Sequence, residues 1–221
     1  MQFLQEGVIR QVFDLEKGIW YTLKGLLKYP GKMVYEYLEG KRRSHFNPIA
    51  LLLIIGSIYY LIEGYSEASM SEIGFLPSES PDDFMERINS VASKYQRLFI
   101  LIGLPFSALV SMFIFRRGEL NYSEHIVINT FKTSGELLIN IPIILFALFT
   151  DNYTALNMLI IALGGLLLTY GVIFFYHFFK RYGYKGKGLI FKSIIAVFSI
   201  QIVNMAIIYA LALLMNYMSL I

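Results

Sequence analysis

Long apolar runs almost free of charge constrain this chain more than any other feature. Residues 46–62, around Leu51-Leu52-Leu53-Ile54-Ile55, contain no Asp, Glu, Lys or Arg, and neither do residues 98–115, 155–179 or 193–221. A water-facing surface does not tolerate such stretches, whereas the hydrocarbon core of a bilayer requires about 20 apolar residues per helix. Charged residues make up 16% of the 221 and hydrophobic residues 56%, against roughly 25% charged in an ordinary soluble domain. The expected fold is therefore an all-α integral membrane protein with about five transmembrane helices, at about 46–62, 98–115, 126–149, 155–179 and 189–217. Residues 46–221 form the bundle, and residues 1–45 form a cytoplasmic helical segment ahead of it.

Residues 8–29 of that segment read as an amphipathic helix. Arg10, Asp14, Lys17, Lys24 and Lys28 fall on one face, while Val8, Ile9, Val12, Phe13, Ile19, Trp20, Leu23, Leu26 and Leu27 fall on the other. Such a two-faced period fits a helix lying in the membrane interface, with Trp20 buried among lipid and the basic residues on headgroups. Packing on a soluble core is the competing reading. Tyr29-Pro30-Gly31 breaks the helix. A short helix, about Lys32 to Glu39, follows and ends at Gly40. Lys41-Arg42-Arg43 then precedes the first span as a topology signal and lipid anchor. The first long apolar run begins only near Phe46, so no cleavable leader is expected. Between the first two spans the chain is polar and acidic. Ser80-Pro81-Asp82-Asp83 has the pattern of a helix start, from which Phe84, Ile88, Val91, Tyr95 and Leu98 carry a stripe into the second span.

Basic residues set the orientation. Fourteen of the 19 lysines and arginines lie before the first span, between the second and third, or between the fourth and fifth. The opposite side holds Arg87, Lys94 and Arg97, and Lys132 and Lys192 lie inside spans. The positive-inside rule then expects a multi-pass protein of the cytoplasmic (inner) membrane, N-terminus in the cytoplasm and C-terminus outside. Its expected partner is a bilayer with anionic headgroups rather than nucleic acid, because no aromatic stacking platform accompanies the basic run.

The third span is the least apolar and the most informative. His125, Asn129, Lys132, Thr133, Glu136 and Asn140 are spaced to share one helical face. Ionisable groups in a membrane usually face a bundle interior or a watery cavity, and Lys132 and Glu136, one turn apart, are placed to pair. Such a stripe can bind a polar solute, an ion or a proton. It can equally serve hydrogen bonding between helices, with Lys132 snorkelling to the headgroups and the true span starting near Leu137. His45, His125 and His177 all map near the cytoplasmic boundary. With Glu124 or Glu136 they would supply a metal site if they converged. No cysteine is present, which removes thiol catalysis and cysteine-ligated zinc. P-loop, GxGxxG, GxSxG and HExxH patterns are also missing.

Three blocks resemble a family of uncharacterised bacterial multi-span membrane proteins. They are Leu26-Leu27-Lys28-Tyr29-Pro30-Gly31 with Tyr37-Leu38-Glu39-Gly40-Lys41-Arg42 and Asn47-Pro48; Asn121-Tyr122-Ser123-Glu124-His125; and Tyr176-His177-Phe178-Phe179-Lys180-Arg181-Tyr182-Gly183. Members often carry a cysteine-based zinc ribbon, which this cysteine-free chain lacks, and the resemblance implies no activity. A five-span bundle is also similar, at fold level, to Yip1-like proteins. The functional expectation is a non-enzymatic permease, channel-like or sensor component without a cofactor. The alternatives are a metal-dependent membrane enzyme using the histidines, and an oligomeric scaffold or pore-forming effector assembled through Gly164, Gly165 and Gly171.

Overall fold

The structure, a computed structural model, describes residues 18–63, 95–149 and 153–219. Arg10, Lys17 and the first part of the amphipathic helix lie outside the described residues. So do the acidic segment from residue 64 and the helix start at Ser80-Pro81-Asp82-Asp83.

Among the described residues the fold is helical, with no strand. Residues 18–28 form α1. It is followed by α2 (Pro30–Leu38), α3 (Pro48–Glu63), α4 (Gln96–Ile114), α5 (Tyr122–Ala147), α6 (Tyr153–Phe179) and α7 (Gly186–Ser219). The five long helices fall on the five expected apolar runs. Three stretches, Arg42–Ile62, Thr154–Tyr182 and Gly186–Met215, are long and apolar enough to cross a membrane, and the apolar run of α4, Leu98–Ile114, is shorter.

Local chemistry explains the boundaries. Pro30 occupies the first turn of α2, where its missing N–H costs nothing. Gly40 ends the hairpin at φ 98°, a left-handed conformation in which glycine has no Cβ penalty. Asn47 caps α3, its Oδ1 accepting from the Ile49 and Ala50 amides at 3.0 and 3.1 Å. A full capping box opens α5. Asn121 Oδ1 accepts from Glu124 N at 2.9 Å, and Glu124 Oε2 accepts from Asn121 N at 2.7 Å. From there α5 runs without interruption through Lys132 and Glu136, with Pro142 inside it.

The bundle is organised around α5, which packs against α3, α4, α6 and α2, while α7 lies against α4 and α6. Phe131 and Ile128 of α5 meet Leu51 and Ile55 of α3 and Phe174 and Phe178 of α6 in one buried core. The α2 hairpin comes very close to α6. A Cβ on Gly31 would collide with the backbone of His177 and Phe178.

The face of α1 that packs differs from the expected apolar face. Gly18, Thr22 and Leu26, four residues apart, are buried. Thr22 Oγ1 donates to Gly18 O at 2.7 Å and accepts from Phe46 N at 2.8 Å, tying α1 to the entry of α3. Trp20 and Leu27 point away, 65% and 53% exposed, on the same outer surface as Lys24 and Lys28. Leu26 is the bulky residue of this packed face, and Gly18 and Thr22 continue it toward the entry of α3.

The basic segments gather at one end of the bundle. The Tyr184 hydroxyl accepts from Arg117 N at 2.9 Å, linking the α4–α5 and α6–α7 connections. Arg181 sits 5.3 Å over the Tyr35 ring, joining the second of these to α2. Phe115 and Phe179 stack beneath them with ring centroids 3.7 Å apart. Burial raises the pKa of the Tyr184 phenol, opposed by the Arg117 amide and the nearby guanidinium.

Candidate functional site

Helix α5 aims its polar stripe inward. A cavity of about 270 Å³ lies between the long helices, and Asn129, Lys132, Thr133, Glu136 and Asn140 line its α5 wall. Ser107 contributes from α4, and Gln201 and Asn204 from α7. Tyr59, Tyr60, Phe99, Leu104 and Leu167 add apolar and aromatic surface to its lining. One water needs roughly 10–15 Å³ of such space, so the cavity has room for several waters or one small polar solute.

Its centre is an ion pair. Lys132 Nζ donates to Glu136 Oε1 at 2.5 Å, one turn along the helix. The two side chains are 8% and 21% exposed, so neither charge is solvated as it would be at a surface. Their mutual attraction offsets part of the lost hydration. Gly171 of α6 makes room for the lysine stem, since a Cβ there would lie 3.3 Å from Lys132 Cε. Opposite, Ser107 Oγ donates to Asn204 Oδ1 at 3.3 Å. Gly103 in the turn above gives Asn204 its space, a Cβ there falling 2.8 Å from that oxygen.

Below the cavity the stripe continues into a buried network. Ser111 Oγ lies 2.8 Å from His125 Nδ1 and 3.0 Å from Ala108 O, and it accepts from Asn129 Nδ2 at 2.8 Å. The Ser111 hydroxyl has two acceptors in reach, Ala108 O and His125 Nδ1, and its choice between them sets the imidazole tautomer. His125 Nε2 and Asn129 Oδ1 are buried with no hydrogen-bond partner among the described residues. Asn129 lines the cavity and His125 does not, so the cavity meets the network at Asn129.

The remaining expected residues sit elsewhere. His45 is packed edge-on against Tyr21 and donates from Nδ1 to Lys41 O at 2.7 Å. His177 is on the surface of α6 beside Tyr176. Glu124 is occupied by the capping box. Among the described residues no group of three or more His, Cys, Asp or Glu side chains is placed to hold a metal ion. Of the glycines considered for helix association, Gly171 is packed internally, whereas a Cβ on Gly165 would meet nothing within 4 Å. Lys41 and Arg42 remain exposed at the basic end, with Arg42 5.7 Å over the Tyr37 ring, and Arg43 is exposed beside them.

The partners from α4 and α7 escaped the sequence reading. Ser107, Ser111, Gln201 and Asn204 are lone polar residues in otherwise apolar runs, where a polar side chain without a partner is costly. Marking each as a partner-seeking group would have found them.

Residues 16–60, covering α1, α2 and most of α3, match the family described as a protein of unknown function (DUF3667). No curated protein and no solved structure matches the chain.

Proposed function

We propose that this chain is a non-enzymatic, five-span protein of the cytoplasmic membrane that admits a small polar solute or ion to its interior, as a permease, channel-like component or sensor. All five long helices cross, the N-terminus is cytoplasmic, and α1 lies along the inner interface with Trp20 and Leu27 toward lipid. The observation that carries this reading is the Lys132–Glu136 pair inside a polar cavity shared by α4, α5 and α7. Ionisable groups at that depth are expensive, and a bundle that needed only packing would do as well with apolar side chains. Asn129 Oδ1 adds a buried acceptor on the same wall. A solute that reaches the cavity can exchange its hydration for the ion pair and the amides of Asn129, Asn140 and Asn204.

The test is equilibration of small solutes in sealed proteoliposomes, using protons, alkali cations and small zwitterions as probes. The wild type is expected to speed at least one of them, or to change conformation on its addition. Glu136→Gln should reduce that response at least tenfold while still inserting. A wild-type response no larger than that of empty vesicles, or a Glu136→Gln protein indistinguishable from wild type, would remove this reading.

A further inference from the structure

We infer that the groove between the α1–α2 hairpin and α6 is a binding site for one anionic glycerophospholipid, drawn from the leaflet on the basic side. The inference rests on α6 crossing the membrane as proposed above. The groove encloses about 490 Å³ and grades from apolar to cationic along its length. Its α6 wall is one helical stripe, Leu166, Tyr170, Ile173 and His177, continued by Arg181 in the turn that follows the helix. At 1.5 Å per residue those positions span roughly 22 Å. That is the reach of a phospholipid from headgroup into the acyl region of a single leaflet, whose hydrocarbon is about 15 Å deep.

The cationic end is built from two separate parts of the chain. Lys28 and Lys32 flank the Tyr29-Pro30 corner, and Arg181 comes from the turn just after α6. Among the described residues Lys28 and Arg181 have no carboxylate partner, while Lys32 is 3.9 Å from Glu36. Arg181 is held in place by the Tyr35 ring, 5.3 Å from its guanidinium carbon. Such a cluster between helices at the cytoplasmic boundary suits a phosphodiester, and the planar guanidinium suits two of its oxygens. The other end offers Ile139, Leu166 and Ile173, which have nothing to contribute to a free phosphate but match an acyl chain. Gly31 keeps the hairpin pressed onto α6, so the two walls hold a fixed separation.

Binding is measured on the full chain in nanodiscs of zwitterionic lipid, by titrating phosphatidylglycerol against phosphatidylcholine and counting retained lipid by native mass spectrometry. The wild type should prefer the anionic lipid at least tenfold. Lys28→Gln with Arg181→Gln should reduce that preference to threefold or less, and so should Ile173→Trp, which fills the groove without changing charge. Lys185→Gln with Lys187→Gln removes the same charge from the start of α7 and the residue before it, and should leave the preference intact. Equal loss in that control would show a diffuse basic surface and overturn the site. Equal binding of glycerol 3-phosphate, which has the headgroup phosphate and no chains, would overturn the lipid assignment. A chain that inserts but shows no preference contradicts the groove alone, whereas one that does not insert contradicts the five-span reading on which it rests.

Discussion

The Tyr170 hydroxyl of α6 crosses directly over Gly135 of α5 and donates to the main-chain carbonyl of Leu26 at 3.2 Å. One phenol thus pins the N-terminal helix to the two helices that carry the cavity. The crossing exists only because position 135 lacks a side chain. A Cβ there would fall 2.8 Å from Tyr170 Cζ and closer still to its oxygen.

Gly135→Ala should therefore lower stability by about 1–3 kcal/mol through overpacking. Tyr170→Phe alone should cost about 1 kcal/mol, the usual value of one such hydrogen bond. The double variant should cost clearly less than the sum, since removing the hydroxyl relieves the worst contact. Thermal unfolding of the four proteins in one detergent measures this. Simple additivity would show that the hydroxyl does not cross Gly135 in the membrane.

The ion pair has an asymmetric cost. Removing one partner leaves the other charge buried without compensation, typically about 3–5 kcal/mol, whereas replacing both by apolar groups of similar size is close to neutral. Lys132→Met is expected to be destabilising, and Lys132→Met with Glu136→Leu to recover most of the loss. Unfolding in detergent reads the stability. The same double variant should have no solute response in proteoliposomes, which separates the fold's need for the pair from its functional use.

Orientation is checked on the cysteine-free background. Ser44→Cys in the basic turn before α3 and Ser219→Cys at the end of α7 should react with a membrane-impermeant thiol reagent from opposite sides. In intact cells only the second should label, and Ser44→Cys should label after the membrane is opened. Both labelling from one side would mean an even number of crossings between them and would sink the five-span reading.

Much of the helical layout was legible in the amino-acid order because apolar runs and their punctuation act locally. Pro30, Gly40 and Asn47-Pro48 mark their boundaries without reference to the rest of the chain. The inward direction of the α5 stripe followed from helical spacing and from the cost of Lys132 and Glu136 in lipid. What faces that stripe did not follow, because Ser107 and Asn204 are 97 residues apart and nothing in their neighbours announces a partner. The α1 face failed for a related reason. Spacing places Trp20 and Leu27 with Leu26 on one apolar side, but spacing does not say which apolar residues of a helix meet the rest of the protein. Only tertiary packing decides that Gly18, Thr22 and Leu26 meet the bundle. The three histidines shared a depth, and depth along a bundle does not bring side chains around it together.

If the Lys132–Glu136 centre lies in a cavity open to small polar molecules within a membrane-embedded bundle, a water-soluble reagent reaches the residues around it. Single cysteines at Ser107, Asn140 and Asn204 probe it, and cysteines at Phe113 and Ile202, 76% and 66% exposed on the outside of the bundle, serve as lipid-facing references. The reagent is a small water-soluble methanethiosulfonate applied to native membranes. The three cavity positions should be modified and the two outer ones should stay inert, as expected of an accessible cavity. Cavity cysteines as inert as the outer pair, or all five reacting alike, would contradict it.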